Sequence, residues 1–262
     1  HELLTPLNSL LLLSKGLTKN KEGNLTPVQV EDAQVIYDGG NSLLTLINDI
    51  MDLSKVEAGK LSIHQEVILL KKLATNLEKM FNPVAEDRSL GFSIDIAKSI
   101  PQSFVTDSLR LEQILRNLLS NAMKFTPHGQ VQLLIDRADT STTFLHCDID
   151  VNNCIAFSVV DTGIGIPEDK QNAIFEAFQQ QDGTTSRKYG GTGLGLTIAR
   201  ELSRLLGGEL HLKSTLGTGS TFTLYLALNQ EKLSDTSDEI DLTNELGSEI
   251  QSLEQTIIPE SP

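Results

Sequence analysis

The 262-residue chain has no tryptophan, only two cysteines and no long apolar run. A membrane-spanning helix needs roughly 18 or more apolar residues in succession, and no stretch of the sequence approaches that length. Cys147 and Cys154 form no CxxC pair and have no histidine at metal-ligand spacing. We therefore expect reduced thiols of a cytosolic protein rather than a disulfide framework or a structural zinc site.

Basic residues are also scarce, since 21 Lys and Arg face 35 Asp and Glu and give a formal net charge of −14. This balance argues against direct nucleic-acid binding, which needs clustered cations to neutralise phosphates. It leaves nucleotides open, because a few amides and one or two cations can hold them. We expect this stretch to be cytoplasmic. Because residue 1 is His, we expect the natural start of the protein, and with it any inner-membrane anchor, to lie upstream.

Residues 1–60 have the pattern of a helical hairpin. Thr26-Pro27 is typical of a helix start, with a capping residue and proline in the first turn. The apolar residues that follow lie at heptad-like steps, at Ile36, Leu43, Leu46, Ile50 and Leu53. A single hairpin cannot bury such a stripe, so we predict a homodimer that forms a four-helix bundle. Gly39-Gly40 within the second helix indicates either a soft bend or close packing.

Residues 61–229 mix strands and helices without a regular βαβ alternation, which predicts an α+β sandwich. The predicted strands are 91–96, 130–135, 156–160, 209–214 and 221–227, and the predicted helices are 109–125 and 194–206. Residues 136–154 are polar and predict a long hairpin loop. Residues 230–262 are strongly acidic and predict a solvated linker.

The helix predicted at 109–125 has a polar stripe beside its apolar face. At 100° per residue, Asn117, Asn121 and Lys124 lie together. Asn oxygens suit Mg²⁺ and a lysine suits a phosphate, although an ordinary polar helix edge would read the same way. The face predicted to be buried consists of Leu111, Ile114, Leu115, Leu118, Leu119, Ala122 and Phe125.

A carboxylate and two glycines follow the strand predicted at 156–160. Asp161, Gly163 and Gly165 lie in the sequence DTGIGIP. Asp161 could accept a hydrogen bond from the amino group of adenine, and a carbonyl at that position of guanine would be rejected. Glycines let a flat ligand approach the backbone. The alternative is a turn aspartate with glycines that only serve geometry.

Gly191, Gly193 and Gly195 open the second predicted helix, where exposed amides can bind an anion. Their spacing is neither a dinucleotide-binding fingerprint nor a Walker loop. The preceding polar segment, 179–189, predicts a mobile lid. Its Arg187 and Lys188 are expected to close over phosphates, with solvated surface charges as the alternative.

His1, Glu2 and Thr5 lie in the sequence HELLTPL. His1 and Thr5 are one helical turn apart on the same face. Neutral imidazole is a nucleophile near pH 7, and the neighbouring carboxylate can take or orient its ring proton. A terminal histidine without function is the alternative.

Together these segments resemble the sensor histidine kinases of two-component signalling, within the GHKL ATPase superfamily. His1–Leu7 resembles the phosphoacceptor box, 117–125 the N box, 161–167 the first glycine box and 191–195 the second. Phe178 ends a segment similar to the F box, and Thr221 lies in a segment similar to the strand pair that closes the adenine site. The order of the segments is also that of the family.

The resemblance implies a Bergerat-type ATP site, with Mg²⁺ on Asn121 and Asn117. It implies that Asp161 reads adenine, and that His1 accepts the γ-phosphoryl group and passes it to a response-regulator receiver domain, separate or fused downstream. Glu2 and Thr5 would assist that relay. Other superfamily members place a water-activating glutamate where Asn117 stands, and an amide cannot be that base. Leu4 replaces the family's usual arginine, which puts contacts with the partner in doubt.

Two other functions remain open from the sequence. The chain could be a signalling scaffold that senses ATP without transferring phosphate, or an ATP hydrolase. Tight ATP binding without phosphohistidine would favour the scaffold. Rapid phosphate release that does not depend on His1 would favour the hydrolase.

Overall fold

The structure is a computed structural model that describes residues 4–145, 147, 149–176 and 193–228. The amino-terminal part is a helical hairpin of α1 (Leu4–Thr18) and α2 (Pro27–Glu57). The start of α2 is fixed by a capping box, in which Thr26 and Gln29 each bond the other's backbone amide. The predicted helix start at Thr26-Pro27 is therefore confirmed.

Of the two glycines in α2, only Gly40 lies where α1 packs closely against α2. A Cβ on Gly40 would lie 2.7 Å from Cδ2 of Leu11 in α1, whereas a Cβ on Gly39 would meet nothing within 4 Å. α2 is assigned as one continuous helix through both residues. Of the two explanations offered by the sequence, close packing is the one the contacts support.

A stripe of large apolar side chains remains exposed on the hairpin. Among those in the predicted heptad positions, Ile36 is 51%, Leu43 48% and Ile50 40% exposed. Leu12 and Leu13 of α1 are more exposed still, at 74% and 70%. The hairpin thus leaves uncovered the surface for which the sequence predicts a second copy. None of the helices in the described ranges has the length and apolar character that a bilayer crossing requires.

The second part is an α+β sandwich, as predicted. Its sheet has the order β2-β4-β5-β7-β6, with β2 parallel to β4 and the other neighbours antiparallel. The strands are β2 (Gly91–Ile96), β4 (Gln130–Arg137), β5 (Cys154–Asp161), β6 (Glu209–Thr215) and β7 (Gly219–Ala227). Helices α3 (Leu70–Asp87), α4 (Ser108–Phe125) and α5 (Gly195–Leu205) supply the other layer.

The core lies between the sheet and these helices. Alternate residues of β4 and β5, such as Leu133 and Phe157, are fully buried against the apolar face of α4. Burial of each large side chain contributes about 1.5–3 kcal/mol. Six of the seven residues predicted for the buried face of α4 are buried. Phe125 is half-buried instead, and Met123, which the periodicity did not select, is 2% exposed.

Three elements were not predicted from the sequence. They are α3 and the two-stranded sheet of β1 (Glu66–Leu69) with β3 (Ser103–Thr106). Helix α3 contains Pro83, which makes its pattern look interrupted. The predicted hairpin loop between β4 and β5 is present. Phe144 in this loop packs against Tyr225 on the outer face of the sheet, with ring centroids 5.4 Å apart.

The hairpin contacts the start of α4. The Asp52 carboxylate of α2 accepts a hydrogen bond from Gln113 at 2.9 Å and lies 3.6 Å from a guanidinium nitrogen of Arg110. After α2, the chain turns at Gly59 with φ of 62°, and the amide of His64 then donates to Asp107 at 2.9 Å. The boundary at residue 60 and flexing near 57–60 stay predictions.

Candidate active site

Asp161 lies at the end of the central strand β5 and is 7% exposed. Its Oδ1 accepts a hydrogen bond from the amide of Gly163 at 2.8 Å. Burial raises the pKa of this carboxyl group, while hydrogen bonds from the backbone amides of Gly163 and Ser220 act in the opposite direction. No cationic side chain of the described residues pairs with this carboxylate, which is therefore suited to accept a hydrogen bond from a neutral polar ligand.

The turn after Asp161 fits closely between α4 and the β6–β7 hairpin. A Cβ on Gly163 would overlap the carbonyl oxygen of Phe125, which also accepts a hydrogen bond from the amide of Ile164 at 3.2 Å. Gly165 has φ of 68°, and a Cβ there would overlap the carbonyl of Thr215. The sequence predicted that these two glycines let a ligand approach the backbone. In the structure it is mainly neighbouring backbone, at Phe125 and Thr215, that approaches them.

The predicted polar stripe on α4 contacts the start of α5 through Asn117. The side-chain nitrogen of Asn117 donates to the carbonyl oxygen of Gly195 at 3.1 Å. Asn121 is half-buried, and no hydrogen bond from it to another described residue is seen. Burial lowers the pKa of Lys124, whose ammonium lies 4.7 Å from the ring centroid of Phe125. No carboxylate in the described ranges forms an ion pair with Lys124.

The amino end of α5 has the geometry of an anion site. Gly193 has φ of 73°, and Leu194 at the N-cap provides no side-chain cap. The first amides of an eleven-residue helix are thus left without a capping side chain. A Cβ on Gly195 would lie 3.7 Å from Asn117, which is ordinary contact. Gly195 therefore lies against Asn117 of the α4 stripe.

The strand register corrects the expectation for Thr221. In β7, Ser220 lies opposite Asp161 and Thr221 lies opposite Val160. Successive residues of a strand point to opposite faces, so the side chain of Thr221 points away from that of Asp161. Ser220 is the neighbour that the sequence analysis missed. The exact pairing of β5 with β7 was needed to find it.

Several predicted residues lie outside the described ranges, namely His1, Glu2, Phe178, Arg187, Lys188 and Gly191. Thr5 is exposed in the first turn of α1, and its carbonyl accepts a hydrogen bond from Ser9 at 3.1 Å. The structure thus brings together Asp161, Gly163, Gly165 and the α4 stripe with the start of α5. Beside them, Phe175 packs edge-on against Phe222, with ring centroids 6.3 Å apart.

These groups fit a magnesium nucleotide. The buried acceptor Asp161 suits a base with an amino group, and Lys124 and the amides of α5 suit phosphates. The oxygen of Asn121 is the kind of ligand that Mg²⁺ takes together with phosphates and water. Within the described residues no group of three or more His, Cys, Asp or Glu could hold a metal ion.

Two family models match the chain. Residues 1–59 match the His Kinase A (phospho-acceptor) domain. Residues 106–230 match the family described as histidine kinase-, DNA gyrase B-, and HSP90-like ATPase. The first match covers the hairpin, and the second begins just before α4 and covers the candidate site.

Curated relatives give the same result. The signal transduction histidine-protein kinase BarA of Escherichia coli is 37% identical over 229 residues, which are 87% of this chain and 24% of the relative. The circadian input-output histidine kinase CikA of Synechococcus elongatus is 41% identical over 228 residues, 86% of this chain and 28% of the relative. The chain thus spans about a quarter of the length of these relatives.

Among solved structures, full-length ShkA in complex with AMPPNP superposes with a TM-score of 0.71 at 29% identity. The match covers 88% of this chain and 45% of ShkA. The hairpin and the sandwich therefore both have counterparts in an experimentally determined nucleotide complex.

Proposed function

The chain belongs to the sensor histidine kinases, and from this premise we propose that it binds Mg²⁺-ATP at the Asp161 site and transfers the γ-phosphoryl group to His1. The observation that supports the proposal most strongly is the buried Asp161 carboxylate, held by Gly163 beside the stripe of α4 and the start of α5. The same chain carries a match to the phosphoacceptor domain.

Asp161 is proposed to select the base. Its Oδ1 accepts from the amide of Gly163, and the carboxylate keeps further lone pairs with which to accept from the 6-amino group of adenine. A 6-oxo base would place one acceptor against another in a buried site, where an unpaired polar group is costly. The site is therefore proposed to favour ATP over GTP, because the purine 6-position carries a donor in adenine and an acceptor in guanine.

The phosphates are proposed to lie between Lys124, Asn121 and the amides of α5. Burial lowers the pKa of Lys124, and a neighbouring phosphate would raise it again by favouring the charged form. A bound Mg²⁺ would neutralise developing charge, with Asn121 and Asn117 as its protein ligands. Asn117 already donates its amide to Gly195, so its oxygen is the atom left for a cation.

Transfer itself asks mainly for position. The unprotonated ring nitrogen of His1 forms a bond to phosphorus as the bond to the ADP oxygen breaks, and Glu2 is proposed to orient or accept the single proton on the other ring nitrogen. Holding donor and acceptor in line can supply about 7–11 kcal/mol of the barrier. Asn117 stands where a hydrolase would need a carboxylate base, which favours histidine rather than water as acceptor.

The phosphoryl group is proposed to pass from His1 to an aspartate of a receiver domain, with Thr5 aiding its removal. The exposed stripe of Ile36, Leu43 and Ile50 supports a homodimer through the hairpin. We propose that this part of the protein works in the cytoplasm. The names of LuxQ relatives, autoinducer 2 sensor kinase/phosphatase, fit a protein that both adds and removes phosphate.

Incubation with γ-labelled ATP and Mg²⁺ tests the proposal. We expect a protein-bound label that is stable in alkali, labile in acid and absent from His1→Gln. His64→Gln is the matched control, because His64 is exposed in the segment between the hairpin and the sandwich. An acid-stable label, or one retained in His1→Gln, would refute the transfer. Tight ATP binding without any label would favour the scaffold, and rapid phosphate release in His1→Gln would favour the hydrolase.

A further inference from the structure

Ser214, the penultimate residue of strand β6, lies at the centre of a hydrogen-bond network next to the proposed base-reading carboxylate. Its Oγ accepts from the amide of Ile166 at 2.8 Å and donates to the carbonyl of Gly219 at 3.0 Å. It also lies 3.0 Å from Oγ of Ser220. A hydroxyl has one proton and two lone pairs, so a donated bond from Ser220 would fill its capacity.

The residues that Ser214 joins are the ones that surround Asp161. Ser220 is paired with Asp161 across β5 and β7, and its backbone amide acts to lower the pKa of the carboxyl group. A Cβ on Gly219 would overlap the backbone carbonyl of Asp161. Ile166 ends the turn whose Gly163 amide holds Oδ1. One hydroxyl therefore connects the turn that donates to the carboxylate with the part of β7 that lies opposite Asp161.

A second side chain holds the same turn. Nε2 of Gln171 donates to the carbonyl oxygens of Ile166 and Ser214, both at 3.1 Å. Both backbone polar groups of Ile166 are thus bonded to β6 or to Gln171, and the amide depends on the Ser214 hydroxyl. With that hydroxyl removed, the part-buried amide would lose its acceptor and the turn would be free to shift.

From these contacts we infer that Ser214 is a positioning residue for base recognition, which fixes the direction of the Asp161 carboxylate without touching the nucleotide. The inference rests on the proposed function, because it requires Asp161 to read the 6-position of the purine. Loss of the hydroxyl allows Asp161 to reorient, so that a 6-amino base loses its advantage over a 6-oxo base. Phosphate contacts at Lys124 and α5 are not part of this network.

The test compares equilibrium binding of ATP and of inosine triphosphate, which differ at the purine 6-position, in the full chain. We expect Ser214→Ala to reduce the ATP-to-inosine-triphosphate affinity ratio by about tenfold, the effect of about one lost hydrogen bond. Ser214→Thr, which keeps the hydroxyl, should restore most of the ratio. Ser158→Ala is the matched control, because its hydroxyl bonds Thr223 at 3.0 Å on the opposite face of the sheet.

The outcomes separate this inference from the function on which it rests. A wild-type chain that binds neither nucleotide refutes the proposed function. A wild-type chain that prefers ATP, with an unchanged ratio in Ser214→Ala, overturns only the role of Ser214. Equal loss of both nucleotides in Ser214→Ala also overturns it, since that result reports damage to the fold. Thermal unfolding of each variant shows whether that damage has occurred.

Discussion

An Asp161→Asn substitution should change the base preference of the site from a 6-amino to a 6-oxo purine. Oδ1 of the wild-type residue accepts from the amide of Gly163 at 2.8 Å, and an Asn oxygen would keep that bond. The Asn amide would then occupy the position of the second carboxylate oxygen. When adenine binds, its 6-amino group would face the side-chain amide of the variant, and both groups are donors. A purine with a 6-carbonyl would instead accept a hydrogen bond from that amide.

The size of the change follows from the hydrogen bond that is lost. A hydrogen bond to a charged group contributes about 1.5–3 kcal/mol. At about 1.4 kcal/mol for each tenfold change, ATP should bind roughly 10- to 150-fold more weakly to the variant. Inosine triphosphate, which lacks the 6-amino group, should bind more tightly to the variant than to the wild-type chain.

The Asp161→Asn variant should bind ATP more weakly, but its folded state should not be less stable than that of the wild-type chain. Because burial raises the folded-state pKa of Asp161, the folded chain holds this proton at pH values where the unfolded chain releases it. The contribution of this carboxyl group to stability is therefore greatest below its unfolded pKa and is lost as pH rises through the folded pKa. At pH 7 the buried charge of Asp161 destabilises the folded state. Asn removes this charge, so the melting temperature of the variant should stay equal or rise.

Calorimetric titration with both nucleotides and thermal unfolding at pH 7 measure these effects. The wild-type affinity for ATP should also fall on acidification, beginning above the usual range of an aspartate, and the variant should lack this component. Undiminished ATP binding by Asp161→Asn would refute the reasoning. A large fall in melting temperature would show that the carboxylate supports the fold instead.

Three further predictions concern single positions. Gly163→Ala should abolish ATP binding in the same titration and lower the melting temperature, because its Cβ would overlap backbone at the end of α4. Gly39→Ala should raise stability in urea unfolding by about 0.5–1 kcal/mol. Gly40→Ala should raise the free energy of unfolding less than Gly39→Ala or lower it, because its Cβ would lie 2.7 Å from a leucine of α1. An equal increase in both variants would contradict close packing at Gly40. Burial raises the pKa of Cys154 to about 12, so iodoacetamide at pH 8 should label Cys147 first, and the reverse order would disprove this.

Much of the fold was predictable because its elements have strong periodic patterns. Helix α4 and the five strands of the main sheet carry apolar residues at regular spacing, and each was found within a few residues of its ends. Helix α3 was missed because Pro83 lies inside it. Strands β1 and β3 are four residues each and depend on pairing with each other across the chain, which no local pattern reveals.

The candidate site was predictable to a lesser extent. Asp161 and the α4 stripe were found because a helical period and a strand end place them without knowledge of the fold. The sequence indicated Thr221 rather than Ser220 as the residue beside Asp161. A shift of one residue in the pairing of β5 with β7 decides between them, and the sequence does not reveal that pairing. The role of Ser214 was not predictable, since its bonds join residues from three separate segments.

Mapping the phosphoryl group by mass spectrometry, in alkali and after incubation with Mg²⁺-ATP, tests the central claim most directly. We expect one modified peptide that contains His1, with the group on the imidazole and with its yield sharply reduced in Asp161→Asn. An unmodified His1 in a chain that binds ATP, or modification elsewhere that Asp161→Asn leaves unchanged, would refute the proposed transfer.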